Sequence, residues 1–252
     1  MSISDRSASS HIGVWSSAWQ WWKELARRDG RMKATRQLLM ALAEFARDST
    51  PERQRQRYGD AEYDWEHRVN TTSGAVGWRD RLLGVFHSPY QPTDSVLFHE
   101  MIAAASAQPD FDFREFTFID LGSGKGRTLL MASSYPFRRI LGLELLPALN
   151  QIARDNLAHY NNPCQKCSAM EAVCADATAF LFPSEPIILF LFNPFPERGL
   201  SSVMANLECS LLEHPRKVFV LYHNPLLAHV LDESAALKKI GETHQYAMYA
   251  SR

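Results

Sequence analysis

Two hydrophobic rhythms divide the chain. Up to about residue 110 the apolar residues recur at helical spacing. Trp15, Trp19, Trp22 and Ala26 form one stripe; Leu38, Leu39, Leu42 and Phe45 form the next, with Gly30 between them. No run in this part reads as a strand. The polar run DSTPERQRQRYGDAEYD (48–64) opens as a loop. From about residue 115 short apolar runs alternate with helical stripes. The predicted strands are FTFIDL (116–121), RRILGLE (138–144), EAVCADA (171–177), PIILFLF (186–192) and KVFVLY (217–222), with two closing strands near 236–242 and 244–250. PIILFLF is apolar throughout, as a strand covered on both faces requires. The predicted helices are 126–134, a stripe of Leu149, Ile152, Ala153, Leu157 and Tyr160 begun by Pro147, a stripe of Leu200, Val203, Met204, Leu207 and Leu211, and a short helix near 226–233. Such alternation predicts an α/β fold: a doubly wound, mainly parallel, seven-stranded sheet in residues 88–252. A helical N-terminal extension, residues 1–87, precedes it.

Composition narrows the function classes. The chain has 252 residues, 46% hydrophobic and 22% charged, which is ordinary for a globular protein with a sizeable core. Its formal net charge of -1 gives no strong nucleic-acid signal. No stretch approaches the roughly 20 apolar residues of a membrane span. The opening MSISDRSASSHIG lacks the apolar core of a signal peptide, so the expected location is cytoplasmic. Cys164 and Cys167 form C-x-x-C, but Cys174 and Cys209 supply no second pair, and no metal site is expected. The oligomeric state is left open.

The chemistry-bearing segment is Asp120-Leu121-Gly122-Ser123-Gly124-Lys125-Gly126-Arg127, between a strand and a helix. Its glycines permit a tight turn and close approach of a ligand. Dinucleotide sites use G-x-G-x-x-G to set a pyrophosphate on a helix N-terminus. Here the spacing is G-x-G-x-G after an acid, which suits S-adenosyl-L-methionine (SAM), a ligand with no phosphate but with an ammonium group for Asp120. A glycine-rich turn that binds nothing is the bland alternative. Gly122, Ser123, Gly124 and Gly126 are the candidate cofactor-binding residues of the loop. Glu144 ends the second strand, where an acid accepts from ribose hydroxyls. Asp176 and Ala177 follow the third strand, positioned for an adenine amino group, although Asp176 equally suits a helix N-cap. Asn193-Pro194-Phe195-Pro196 follows the fourth strand, at the crevice end of the sheet, where an amide and a rigid turn suit an acceptor group; a plain turn is the other reading. His223, after the fifth strand, is a candidate general base or a core histidine.

These residues, in this order, resemble the class I (seven-strand, Rossmann-like) SAM-dependent methyltransferases over about residues 88–250. Asp120–Gly126 matches the family's first motif, Glu144 the acid of the second, and Asp176 and the Asn193 run the third and fourth. The form DLGSGKGR, with Tyr90-Gln91-Pro92-Thr93 upstream, resembles a bacterial branch of these enzymes and also non-SET protein-lysine methyltransferases. That likeness implies SAM contacts from Tyr90 and Thr93; an N-cap at Thr93 or Asp94 is compatible with it. The chain departs from the amino-directed pattern of Asn or Asp followed by Pro-Pro and an aromatic, because its second proline is displaced. The implied reaction is methyl transfer from SAM to an N or O nucleophile of a protein or small-molecule acceptor. A SAM-binding but inactive regulatory module is the alternative, and the glycine spacing opposes a nicotinamide oxidoreductase. The tryptophan stripe is expected to pack on the catalytic domain or to meet a membrane surface or partner. Arg27, Arg28, Arg31, Lys33 and Arg36 form a solvated face or a grip on an acidic substrate.

Overall fold

A computed structural model describes residues 19, 22–23, 25–27, 30–48, 64, 69–71 and 92–252. They fall into two compact units. The first holds helix α1 (Arg31–Asp48). There Trp19 stacks on Trp22 with ring centroids 5.1 Å apart, and the Trp22 indole N–H donates to the Thr35 hydroxyl at 3.1 Å. Trp15 lies outside the described residues, as does the polar run 48–64 apart from its two end aspartates.

The second unit holds residues 64, 69–71 and 92–252. Its helices are α2 (Ser95–Ser106), α3 (Arg127–Ala132), α4 (Pro147–His159), α5 (Glu197–Glu213) and α6 (Ala228–Asp232). Its strands are β1 (Thr117–Leu121), β2 (Arg139–Glu144), β3 (Met170–Cys174), β4 (Ile187–Leu191), β5 (Val218–His223), β6 (Leu237–Glu242) and β7 (Tyr246–Ser251). They form one seven-stranded sheet in the order β3-β2-β1-β4-β5-β7-β6. The first five strands run parallel; β7 enters antiparallel between β5 and β6. The expected doubly wound, mainly parallel architecture is therefore present.

Alternation along the strands feeds two cores, one on each face. Phe118, Phe190 and Leu221 pack with Phe98, Met101 and Ile102 of α2 on one side. Ile119, Leu189 and Val220 pack with Val203, Met204 and Leu207 of α5 on the other. β1 and β4 are buried at every position, so their sequences are apolar without alternation apart from Thr117 and Asp120. No helix among the described residues is long and apolar enough to cross a membrane.

The element ends differ from expectation at three informative places. The helix expected over 126–134 starts one residue later, at Arg127, because Gly126 stands before it with left-handed backbone (φ 80°), and it ends at Ala132. The strand expected over 171–177 stops at Cys174, because the Asp176 side chain caps a 3-10 turn, Ala177–Ala179. β5 extends one residue further than KVFVLY, which makes His223 part of the strand end.

Candidate functional site

Successive connections run from β1 through β2 to β3 at one side and from β4 to β5 at the other. β1 and β4 lie side by side, Leu121 beside Leu191, so the direction of winding reverses between their carboxyl ends. Open α/β sheets form their ligand crevice at such a point. Two segments meet there. A Cβ on Gly122, whose φ is 79°, would lie 2.4 Å from the Cβ of Pro194. Glycine is required because the turn after β4 occupies that space.

The glycine loop is fastened from below. The Gly122 and Ser123 amides donate to the Leu143 carbonyl at 2.8 and 3.0 Å, and the Gly126 amide donates to Ser123 O at 2.8 Å. The Gly124 amide, at φ 54°, donates to Glu144 Oε2 at 2.8 Å; the Leu146 amide donates to Oε1 at 2.8 Å. Glu144 is buried, which pushes its carboxyl up, and these backbone N–H groups partly restrain the shift. Its oxygens thus shape the loop. Gly142 of β2 was not marked by any sequence signal. A Cβ there would meet the Ser123 Oγ and Leu129 Cδ1, each at 2.6 Å, so its absence admits the loop against the sheet.

Asp120 is 4% exposed and accepts a hydrogen bond from the Thr128 hydroxyl. Burial pushes its carboxyl up to about 7; Thr128 opposes the shift and the Glu144 charge adds to it. Nearby in the loop, the Ser123 hydroxyl is buried with no hydrogen-bond partner among the described residues. The amide nitrogen of Asn150, on α4, is in the same condition.

Two Asn-Pro turns, after β4 and β5, hold each other. Asn193 (φ 44°) and Asn224 (φ 48°) both adopt left-handed backbone. The Asn193 amide nitrogen donates to Asn224 O, and its Oδ1 accepts from the Tyr222 hydroxyl at 2.8 Å. That hydroxyl also accepts from the Leu227 amide at 3.3 Å. The Asn193 amide, expected to face an acceptor, is thus engaged at both ends by neighbouring protein. Phe195 follows Pro194 and lies against Gly199. The His223 ring sits over Phe192, centroids 3.9 Å apart, with Nδ1 buried and without a hydrogen-bond partner among the described residues. Burial lowers its pKa to about 4, against the pull of the Asp94 carboxylate, so the imidazole is neutral near pH 7.

No family model and no curated protein matches the chain. Among solved structures it is similar to the ribosomal protein L11 methylase from Lactobacillus delbrueckii subsp. bulgaricus, at 17% identity over 62% of this chain and 76% of that one, TM-score 0.42. It is similar to the RNA methyltransferase from Salinibacter ruber in complex with S-adenosyl-L-homocysteine, at 20% identity over 64% and 92%, TM-score 0.38. The rRNA methyltransferase aviRa from Streptomyces viridochromogenes is similar at 15% identity over 66% and 87%, TM-score 0.45. Scores this low say nothing about activity or ligand.

The remaining expected site residues that the structure describes are engaged by neighbouring backbone or side chains. Asp176 is exposed, and its Oδ1 accepts from the Thr178 amide at 2.8 Å and hydroxyl at 2.7 Å. That is the N-cap geometry, with Ala177 buried behind it. Thr93 is buried, and its carbonyl accepts from Arg127 Nε at 2.9 Å. Asp94 caps α2, its Oδ1 accepting from the Leu97 amide at 2.9 Å. Tyr90 lies outside the described residues. Cys167 is buried, Cys164, Cys174 and Cys209 are exposed, and no cluster able to hold a metal occurs among the described residues.

Sequence reasoning missed Lys125, Arg127, Asn156 and Tyr222, each buried and hydrogen-bonded around the loop or the turns. Lys125 is held by Asn70, and burial brings its pKa down to about 8 while the Asp64 charge raises it. No local signal marks a lysine and an arginine on either side of a glycine as buried; their partners Asn70 and Thr71 are distant in sequence.

Proposed function

We propose that the protein is a SAM-dependent methyltransferase that transfers a methyl group to an N or O nucleophile of a protein or small-molecule acceptor. The observation carrying this reading is Asp120: a buried acid at the crevice, hydrogen-bonded to a neutral hydroxyl and pushed up to about 7, next to a loop with three left-handed glycines. A cationic ligand group restores the ionised form of such an acid; a diphosphate would keep it protonated. The ammonium of SAM fits that requirement.

The proposed roles are those that the resemblance to SAM-dependent methyltransferases implies. Asp120 takes the ammonium group, the backbone of Gly122–Gly126 and Ser123 Oγ line the methionine end, and Glu144 takes the ribose hydroxyls. Asp176 and Ala177 border the adenine and Thr93 contacts the cofactor; the resemblance assigns a cofactor contact to Tyr90 as well. When bound, SAM supplies a methyl group already activated on a sulfonium. The chain's own work is to orient the acceptor and exclude water. Asn193, Pro194 and Phe195 form the rigid wall for the acceptor. His223, neutral by burial, offers an uncharged nitrogen there and takes up a proton weakly. We place this machinery in residues 88–252, with residues 64 and 69–71 of the preceding stretch in the same compact unit.

Calorimetry with SAM and with NAD, followed by transfer of label from tritiated SAM into a cell lysate with identification by mass, tests the reading. SAM binding and label on one acceptor are expected. Binding of NAD and refusal of SAM would overturn it; SAM binding with label on no fraction would point to the regulatory module.

Tyr222→Phe keeps the buried ring and removes the hydroxyl shared by the two Asn-Pro turns. SAM affinity should stay within about twofold, while labelling falls roughly five- to tenfold, the loss of about 1 kcal/mol of hydrogen bonding at Asn193. Unchanged labelling would remove Asn193 orientation from the mechanism.

A further inference from the structure

Residues 69–71 lie far upstream of the glycine loop in sequence yet form part of its surroundings. One side chain joins the two. Asn156 of α4 accepts from the Asn70 amide at 2.9 Å and donates its amide nitrogen to Asn70 O at 3.0 Å and to Lys125 O at 2.9 Å. The loop answers with its own side chains. Lys125 Nζ donates to Asn70 Oδ1 at 3.0 Å, and Arg127 Nη1 donates to Thr71 Oγ1 at 3.1 Å. Arg127 Nε holds the Thr93 carbonyl, so one guanidinium connects the upstream segment to the start of α2. Thr71 is itself fixed, its amide donating to Asp64 Oδ2 at 2.8 Å and its hydroxyl to Oδ1.

The loop side of this contact is shut off from water, Lys125 and Thr71 being 0% exposed and Arg127 2%, while Asn70 is exposed. Burying a lysine and an arginine is costly unless their donors are met in good geometry. Apolar residues would fasten a segment to a sheet at lower cost but without setting its register. The loop has the opposite difficulty. Its left-handed glycines have wide conformational freedom to lose, and one conformation must be held before a ligand arrives. Leu143 O and Glu144 hold the loop from the sheet side; Asn70, Thr71 and Asn156 meet it through Lys125 and Arg127.

We propose that the Asn70–Thr71 segment is a positioning strap for the glycine loop, keeping it in ligand-ready form through Lys125, Arg127 and Asn156. The cofactor part of this inference rests on the reading of the loop as a SAM site. The mechanical part does not.

The test uses the full chain with Asn70→Ala, Lys125→Met, the double variant, and the isosteric Thr71→Val. Two quantities are measured. The first is hydrogen exchange in a peptide covering 118–130, without ligand, with peptides from β4 and β5 as reference. The second is SAM affinity by calorimetry. Asn70→Ala and Thr71→Val should each speed loop exchange roughly tenfold while the β4 and β5 references are unchanged, since local opening is governed by local contacts. SAM affinity should fall roughly tenfold in each. The double variant should be no worse than Lys125→Met, because both remove the same bond. Unchanged loop exchange in Asn70→Ala and Thr71→Val overturns the strap. So does equal acceleration in β4 and β5, which marks general destabilisation, and so does strict additivity in the double variant. If wild type refuses SAM while loop exchange responds as stated, the cofactor assignment fails and the strap stands.

Discussion

Gly122→Ala is expected to weaken SAM binding by on the order of a hundredfold or more and to lower Tm by about 10 °C. The added Cβ would sit 2.4 Å from Pro194 Cβ, on backbone with φ 79°. The neighbour is a proline ring in a turn, which has little freedom to give way. Left-handed backbone at a non-glycine residue costs on the order of 1–3 kcal/mol. Overpacking adds on the order of 1–3 kcal/mol. In a unit of this size each kcal/mol moves Tm by about 2–4 °C. The same displacement parts the cofactor loop from the Asn193–Pro194 turn, so affinity should fall by on the order of a hundredfold or more. Calorimetry and thermal unfolding of the variant check both effects. Wild-type Tm together with wild-type affinity would show that the close packing of the two turns is not what shapes the crevice.

Asp120 predicts a pH dependence with a definite sign. Its carboxyl stands at about 7 in the folded chain, well above the usual carboxylate range near 4. Between those values the folded state holds a proton that the unfolded state has released. Ligand-free stability from this group therefore falls as pH rises from about 4 to about 7, the reverse of a salt-bridged acid. Glu144 is raised in the same direction by burial and adds to the trend. An ammonium group binds the ionised form of Asp120, so SAM affinity should rise by up to about tenfold per pH unit from pH 5 to about 7. The gain ends near pH 8, where an α-amino group loses its own proton. Binding at pH 6 should release a proton, measurable by calorimetry in buffers of different ionisation enthalpy. Asp120→Asn should bind about 10–100-fold more weakly at pH 7. It should also show a flat profile below pH 7. A wild-type affinity that is flat from pH 5 to 7 would take Asp120 out of ammonium recognition.

The parts of the site that were legible in the sequence are local ones. β1, the glycine loop and α3 occupy one continuous stretch, and an apolar run followed by glycines at alternate positions dictates a buried strand, a tight turn and a helix start wherever it occurs. Asn193 and Pro194 could be placed at the crevice because a fully apolar strand must lie inside a parallel sheet and its carboxyl end must face the ligand side. Asp176 shows where local reading stops: the same residue suits a ligand contact and a cap, and the folded chain uses its carboxylate to hold Thr178.

What composition and spacing determined by themselves was an α/β sheet wound both ways, seven strands in number. Those features follow from periodicity and turn chemistry, which act over a few residues. Tertiary structure alone decided that β7 lies antiparallel between β5 and β6, that Lys125 and Arg127 are buried against Asn70 and Thr71, that Tyr222 binds the Asn193 amide, and that Asp120 is poised near neutrality. Each of these depends on groups distant in sequence being brought together away from water, and both burial and charge state are set by that assembled surrounding rather than by any neighbour along the chain.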